Sequence, residues 1–164
     1  MIQLRKPTVA DVPQIVELLR PHVLAERLLP RSPRQVAERL RDFLLAERKT
    51  EGLNGGRTEL VGVASISLVD TYLAEVGAIA AADPDIEAAL VRQLLAEATE
   101  MGVADAFVLT DAPELFEGLG FRRTRVQDIP EKRDRQCLRC SRLPRCRQVA
   151  LTIPLGDRWA QAAK

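Results

Sequence analysis

Aromatic residues, histidine and long apolar runs are scarce in this 164-residue chain, and each shortage excludes something. Phe, Tyr and Trp make up only 4% of it, so a core must be built from Leu, Val, Ile and Ala. No stretch approaches the ~20 apolar residues needed to cross a bilayer. The opening MIQLRKPTVADVP carries no apolar signal region, so a cytoplasmic protein is expected. Three cysteines in such a compartment argue against a disulfide scaffold.

What is present is an ordinary globular composition, 46% hydrophobic and 29% charged, long enough for one domain with a full core. The net charge is only +1, yet it is unevenly spread. Between Arg122 and Arg147 ten Lys and Arg face three acids, whereas the rest holds fourteen basic against twenty acidic residues. Such a basic stretch attracts acidic small molecules, cofactor phosphates or nucleic acid, or it is simply a solvated surface. Nucleic acid is disfavoured, because the stretch lacks aromatics on which bases could stack and contains no DNA-reading helix pattern.

Along the chain, Ile2–Arg5 reads as a short strand. Thr8-Val-Ala-Asp11 has the form of a capping box, and Val12, Ile15, Val16 and Leu19 carry a first helix to about Arg20. Ser32-Pro33-Arg34-Gln35 opens a second helix whose apolar stripe is Val36, Leu40, Phe43 and Leu44. The intervening HVLAERLLPRS is expected to be a loop or a broken helical turn. Asn54-Gly55-Gly56 signals a turn, and Leu60–Val69 and Ala74–Ala81 read as strands, with Tyr72 at the entry of the second. Pro84–Met101 is the strongest helix, with Ile86, Leu90, Leu94 and Ala98 repeating every four residues and Gly102 ending it. A strand at Ala104–Leu109 and a short helix at Pro113–Leu119 follow, the latter stopped by Gly120. Phe121–Val126 and Gln148–Pro154 read as the last strands, separated by an insert over 127–147 that holds all three cysteines. From Gly156 a frayed tail is expected. The order β-α-α-β-β-β-α-β-α-β-β is that of a mixed α/β sheet with helices on both faces.

The segment from Ala74 to Phe121 resembles the cofactor half of a GNAT-superfamily N-acetyltransferase. Within it Glu114-Leu-Phe-Glu-Gly-Leu-Gly-Phe121 is similar to the x-x-x-F-x-x-x-G-F ending of that half. Three further segments resemble the short N-acetylglutamate synthases of bacterial arginine biosynthesis. Leu28-Leu-Pro-Arg-Ser32 is similar to that family's L-x-P-R-S, and Phe107-Val-Leu-Thr110 to its F-x-L-T. Ile129-Pro-Glu-Lys132, followed by Cys137-x2-Cys140-x5-Cys146-x3-Ala150, is similar to its L-P-x-K and C-x2-C-x5-C run. The likeness covers roughly residues 4–153.

This resemblance implies an α/β GNAT-like fold: a mixed, mostly antiparallel sheet with helices on both faces and splayed central strands, one domain over residues 1–155. It also implies transfer of an acetyl group from acetyl-CoA to the α-amine of a glutamate-like amino acid, by a homodimer. Arg31, matching the P-R-S position, is the first candidate for a substrate carboxylate, since the planar guanidinium binds a carboxylate with two bonds. Ser32 lies beside it, and Lys132, at the L-P-x-K position, is a second cationic candidate. The attacking amine must lose a proton, and Glu75 is the candidate base, direct or through a water. Equally, Glu75 reads as a strand carboxylate on a solvated face, and Arg31 as a loop arginine beside a helix cap. Superfamily members often protonate the leaving thiolate with a late tyrosine; here Tyr72 is the sole tyrosine and lies upstream of that position.

Superfamily members hold the acetyl-CoA pyrophosphate on a Gln/Arg-x-x-Gly-x-Gly turn. Here the turn is Asp83-Pro84-Asp85-Ile86-Glu87, with no glycine and no basic residue. Its acids suit a helix start and repel a pyrophosphate. A working enzyme would therefore hold the cofactor on other amides, with Ile79, Ala80, Ala81, Ile86 and Ala88 as the candidates, and on nearby basic residues. The alternative is a catalytically silent GNAT-fold regulator or partner-binding protein. Cys137, Cys140 and Cys146 supply three candidate zinc thiolates, with His22 or a second subunit as the fourth ligand. The other readings of these cysteines are reduced thiols in a structural hook or a regulatory pair at the two-residue spacing.

Overall fold

A computed structural model describes residues 1–51 and 56–156. The turn expected at Asn54-Gly55 and the tail expected beyond Gly156 lie outside the described residues. Twelve elements carry the fold: β1 Ile2–Arg5, α1 Val12–Leu24, α2 Pro33–Glu38, β2 Phe43–Thr50, β3 Arg57–Asp70, β4 Leu73–Ala81, α3 Pro84–Glu100, β5 Asp105–Thr110, α4 Pro113–Gly118, β6 Arg122–Thr124, α5 Pro130–Arg133 and β7 Val149–Pro154. The strands form a seven-stranded sheet in the order β1-β2-β3-β4-β5-β7-β6. Pairing is antiparallel for β1–β2, β2–β3, β5–β7 and β6–β7, and parallel for β4–β5. The expected mixed, mostly antiparallel α/β sheet is borne out. No helix among the described residues is long and apolar enough to cross a membrane.

The chain divides into two compact units, Met1–Ile66 with Ala78–Leu94, and Ser67–Gly77 with the chain from Leu95 onward. In the first, Ile15, Leu19, Val36, Phe43, Leu45 and Val63 are buried together with Ala78 and Ala80 of β4. The one clear misreading lies here. Spacing gives Phe43 and Leu44 to the second helix, but α2 stops at Glu38, and a 3-10 turn at Leu40–Asp42 leads into β2. Phe43, Leu44, Leu45 and Ala46 are all buried, the unbroken run of a strand covered on both faces rather than a helical stripe. Pairing with both β1 and β3 outweighs the helix preference of FLLAERK, since propensity is a weak prior against tertiary context. The first helix also continues four residues past Arg20, through Pro21, to Leu24.

The capping box read at Thr8 and Asp11 is present ahead of the first helix. Asp11 Oδ2 accepts from the Thr8 N–H at 2.7 Å and from its hydroxyl at 3.0 Å. The Asp11 N–H also reaches the Thr8 carbonyl at 3.0 Å. The β2–β3 register slips between Ala46↔Gly62 and Glu47↔Leu60, which makes Val61 the extra residue of a bulge.

In the second unit Leu73, Phe107, Ile129 and Ala150 form the core cluster. Ile129 anchors the insert to this core by packing. Phe116 and Phe121 meet edge-to-face at 5.4 Å, closing α4 onto the chain that follows Gly120.

Candidate active site

The parallel β4–β5 ladder runs from Leu73↔Asp105 to Val76↔Val108. Two residues beyond it Ala78 has a left-handed backbone, φ 46°. An alanine held there is strained, and a left-handed residue within a strand bends it. Glu75 sits in the last part of this ladder, paired with Phe107. Its carboxylate accepts from Lys132 Nζ at 2.6 Å, and the same nitrogen donates to Gln136 Oε1. Lys132 is 8% exposed, one of three polar or charged residues buried among those described. Burying an amine is costly unless it is paired and hydrogen-bonded, which Glu75 and Gln136 provide together.

Why the chain brings them together is local. Ile129 packs into the core, α5 begins at Pro130, and Lys132 falls on its second turn-half facing inward. Tyr72, in the turn between β3 and β4, donates its hydroxyl to Glu131, and Arg135 donates to the Val69 carbonyl at 2.8 Å. These contacts clasp the insert to the β3–β4 turn. The hydrogen bond to Glu131 holds the Tyr72 phenol above its ordinary pKa. Sequence reasoning selects Glu75 and Lys132 as separate agents, a base and a carboxylate binder; the structure joins them. Gln136 is missed, and its only signal is the four-residue spacing from Lys132 across a helical turn.

Arg31 and Ser32 belong to the other unit. The Arg31 guanidinium lies 5.9 Å above the centre of the Phe43 ring. Ser32 caps α2: its hydroxyl accepts from the Gln35 N–H at 3.2 Å, and the Gln35 side chain accepts from the Ser32 N–H at 2.8 Å. The capping role read from sequence is therefore present.

At the acidic turn, Asp83 Oδ1 accepts from the Ile86 N–H at 3.0 Å, and the Asp83 carbonyl accepts from the Glu87 N–H at 3.2 Å. The bulged Val61 carbonyl takes the Ala82 N–H at 2.8 Å. A Cβ on Gly62 would fall 2.9 Å from Ile86 Cγ2, so the missing side chain lets α3 lie directly on β3. The Ile86 amide, one of the cofactor candidates, is thus already engaged by an internal carboxylate. Arg48 approaches Asp83 Oδ2 at 3.7 Å, and a groove of about 370 Å³ beside the turn is lined by Arg48, Lys49, Asp83 and Asp85 among others. Ile79 and Ala81 are partly exposed, while Ala80 is buried.

The cysteines do not assemble a metal site. Among the described residues no group of three or more His, Cys, Asp or Glu side chains could hold a metal ion. Cys137 and Cys140 are half-buried and Cys146 is exposed, all three as free thiols. Burial holds the Cys137 thiol above the ordinary cysteine value, with the Lys132 charge pulling the other way. A ligand set needs thiolates converging on one point, so this geometry does not fit zinc.

No protein-family profile matches the chain. It is 26% identical over 155 residues to an uncharacterized N-acetyltransferase of Chlorobaculum tepidum, covering 92% of this chain and 95% of that one. Among solved structures it is similar to the N-acetylglutamate synthase of Neisseria gonorrhoeae complexed with coenzyme A and N-acetyl-glutamate, with a TM-score of 0.80 and 22% identity over 95% of this chain. The chain spans only 35% of the length of that protein. It is also similar to a Mycobacterium tuberculosis protein crystallised with CoA and NLQ, with a TM-score of 0.73, 22% identity, and coverage of 94% of this chain and 99% of the other. At such identities the likeness to the solved structures is one of fold. The expected resemblance to GNAT-type N-acetyltransferases is borne out.

Proposed function

We propose that this chain is an amino-acid N-acetyltransferase that moves the acetyl group of acetyl-CoA to the α-amine of a glutamate-like acceptor. The observation that carries the reading is Glu75, held by Lys132 in the last part of the β4–β5 ladder, three residues before β4 kinks at Ala78. Past that kink the Ile79–Ala81 backbone is where the pantetheine arm would find peptide partners. Glu75 would take a proton from the acceptor ammonium, directly or through a water, and the freed amine would attack the thioester carbonyl. The CoA thiolate then leaves. Lys132, engaged by Glu75 and Gln136, serves the base first, and Arg31 is the candidate for an acceptor carboxylate. Arg48 and Lys49 would supply the positive charge that the turn Asp83–Glu87 lacks. A homodimer belongs to the same reading.

The occupied Ile86 amide favours a second reading, a GNAT-fold protein that no longer binds the cofactor and serves a partner. Calorimetric titration with acetyl-CoA, followed by an assay for free CoA thiol with glutamate as acceptor, separates the two. Binding with thiol release supports transfer; no heat at millimolar acetyl-CoA leaves the silent protein.

A further inference from the structure

Gln136 is exposed, yet its side-chain oxygen accepts from the buried Lys132 ammonium. An ammonium has three N–H donors and no acceptor, so the amide oxygen is the end that must face it. The Nε2 end, which carries two N–H donors, is therefore turned away from Lys132. It makes no hydrogen bond among the described residues. The main chain beneath it is pinned. The Gln136 N–H donates to the Lys132 carbonyl at 3.0 Å, Arg135 donates to the Val69 carbonyl at 2.8 Å, and Cys137 is half-buried. Two donors thus stand ordered before any ligand arrives. An amide whose oxygen accepts from a cation is also polarised into a stronger donor. Glu75 Oε1 lies on the same Nζ, so the two oxygens stand within roughly 5 Å of each other.

We propose that Gln136 is a specificity-determining residue, whose Nε2 donates to a carboxylate of the acceptor while Glu75 faces the acceptor's amine. This contact rests on the amino-acid acceptor proposed above for the same site. Nε2 donates and cannot accept, so an ammonium finds nothing there and a carboxylate oxygen finds two N–H groups. Lys132 joins the two ends, holding Glu75 Oε1 on one N–H and Gln136 Oε1 on another. An amino acid carries both complementary groups on one small molecule. A simple amine would meet Glu75 alone. A residue needed only to hold Lys132 would need only its oxygen. Gln136→Glu keeps that oxygen and removes both donors, so it separates the two roles.

The isotope-labelled full chain is titrated with L-glutamate, and separately with butylamine, with and without free CoA. Side-chain amide signals are followed by proton–nitrogen NMR. Gln136→Met, which has no side-chain amide, assigns the Gln136 signals by their loss. Glutamate should shift those signals, and butylamine should leave them in place. By calorimetry Gln136→Met should bind glutamate about tenfold more weakly than the parent, and Gln136→Glu at least as weakly as Gln136→Met. A far-UV spectrum like the parent's checks that each variant is folded, and the NMR titration of the parent needs neither. Thiol release from acetyl-CoA is measured apart from binding. Glutamate bound through Gln136 without thiol release removes the transferase reading and supports the contact. Unmoved Gln136 signals, equal shifts with butylamine, no glutamate binding by the parent, or a folded Gln136→Glu that binds glutamate like the parent overturns the proposal.

Discussion

Lys132 Nζ lies 2.6 Å from Glu75 Oε1, although 57 positions separate the two residues in the chain. The side chains are 10% and 21% exposed, so neither charge is well solvated. Breaking a buried pair by removing one partner leaves the other charge uncompensated, at about 3–5 kcal/mol when both are fully buried. With Glu75 partly open to water, Lys132→Met should cost about 2 kcal/mol, read as a lower urea midpoint. Lys132→Met combined with Glu75→Leu should recover much of that loss. A single variant as stable as the parent would show that the pair contributes nothing.

If Glu75 is the base, Glu75→Gln should lower kcat by about 10²-fold or more, within the usual range for general base catalysis. The amide retains an oxygen for Lys132, so stability should change far less than in Lys132→Met. The affinity for acetyl-CoA, measured separately by calorimetry, should stay within about threefold of the parent. A parallel loss of cofactor affinity would instead place Glu75 in binding.

Most of the architecture was legible because period and punctuation agree with tertiary structure. The helix read at Pro84–Met101 is α3 at Pro84–Glu100, and Gly102, at φ 82°, stops it. What escaped was β2, where FLLAERK carries helix-favouring residues in a segment that only its two neighbouring strands make extended. Glu75 and Lys132 could be nominated from the family resemblance, but their union could not, since it depends on how Ile129 docks α5. Ala78 gave no sign at all: nothing about an alanine announces a left-handed backbone that its surroundings impose.

Asp83 sets the charge of the turn while capping its helix. Asparagine caps about as well as aspartate, so Asp83→Asn should change stability by less than about 0.5 kcal/mol. Removing one negative charge near a diphosphate is worth on the order of 1 kcal/mol at low salt, so acetyl-CoA should bind about fivefold tighter. The gain should shrink as salt is raised. Equal affinity at all ionic strengths would mean that the diphosphate lies away from this turn.

Gly62 controls how closely α3 approaches the sheet. An alanine there would bring its Cβ to 2.9 Å from Ile86 Cγ2 and 3.0 Å from Leu90 Cδ1, on side chains that are buried. Overpacking of this kind costs about 1–3 kcal/mol. Gly62→Ala should fall in that range by chemical denaturation, and adding Ile86→Val should not restore it, because the clashing Cγ2 methyl remains in valine. A neutral Gly62→Ala would show that α3 can lift off β3 at little cost.

Arg5 bridges two carboxylates, donating to Asp11 Oδ1 at 2.7 Å and to Glu47 Oε1 at 2.7 Å. The hydrogen bonds from Arg5, with those from the Thr8 amide and hydroxyl, hold the Asp11 carboxyl well below the usual carboxylate range despite its burial. A depressed carboxyl pKa contributes stability above the unfolded value near ~3.9 and loses it as pH falls through that value toward the folded one. Asp11→Asn removes the titrating group while keeping an oxygen for the Thr8 amide. At pH 7 the variant should be about 2 kcal/mol less stable than the parent. Below about pH 4 the parent should lose stability faster than the variant, so the two denaturation midpoints converge with acid. Parallel curves from pH 7 down to pH 2.5 would show that Asp11 is not the carboxylate whose protonation weakens this fold.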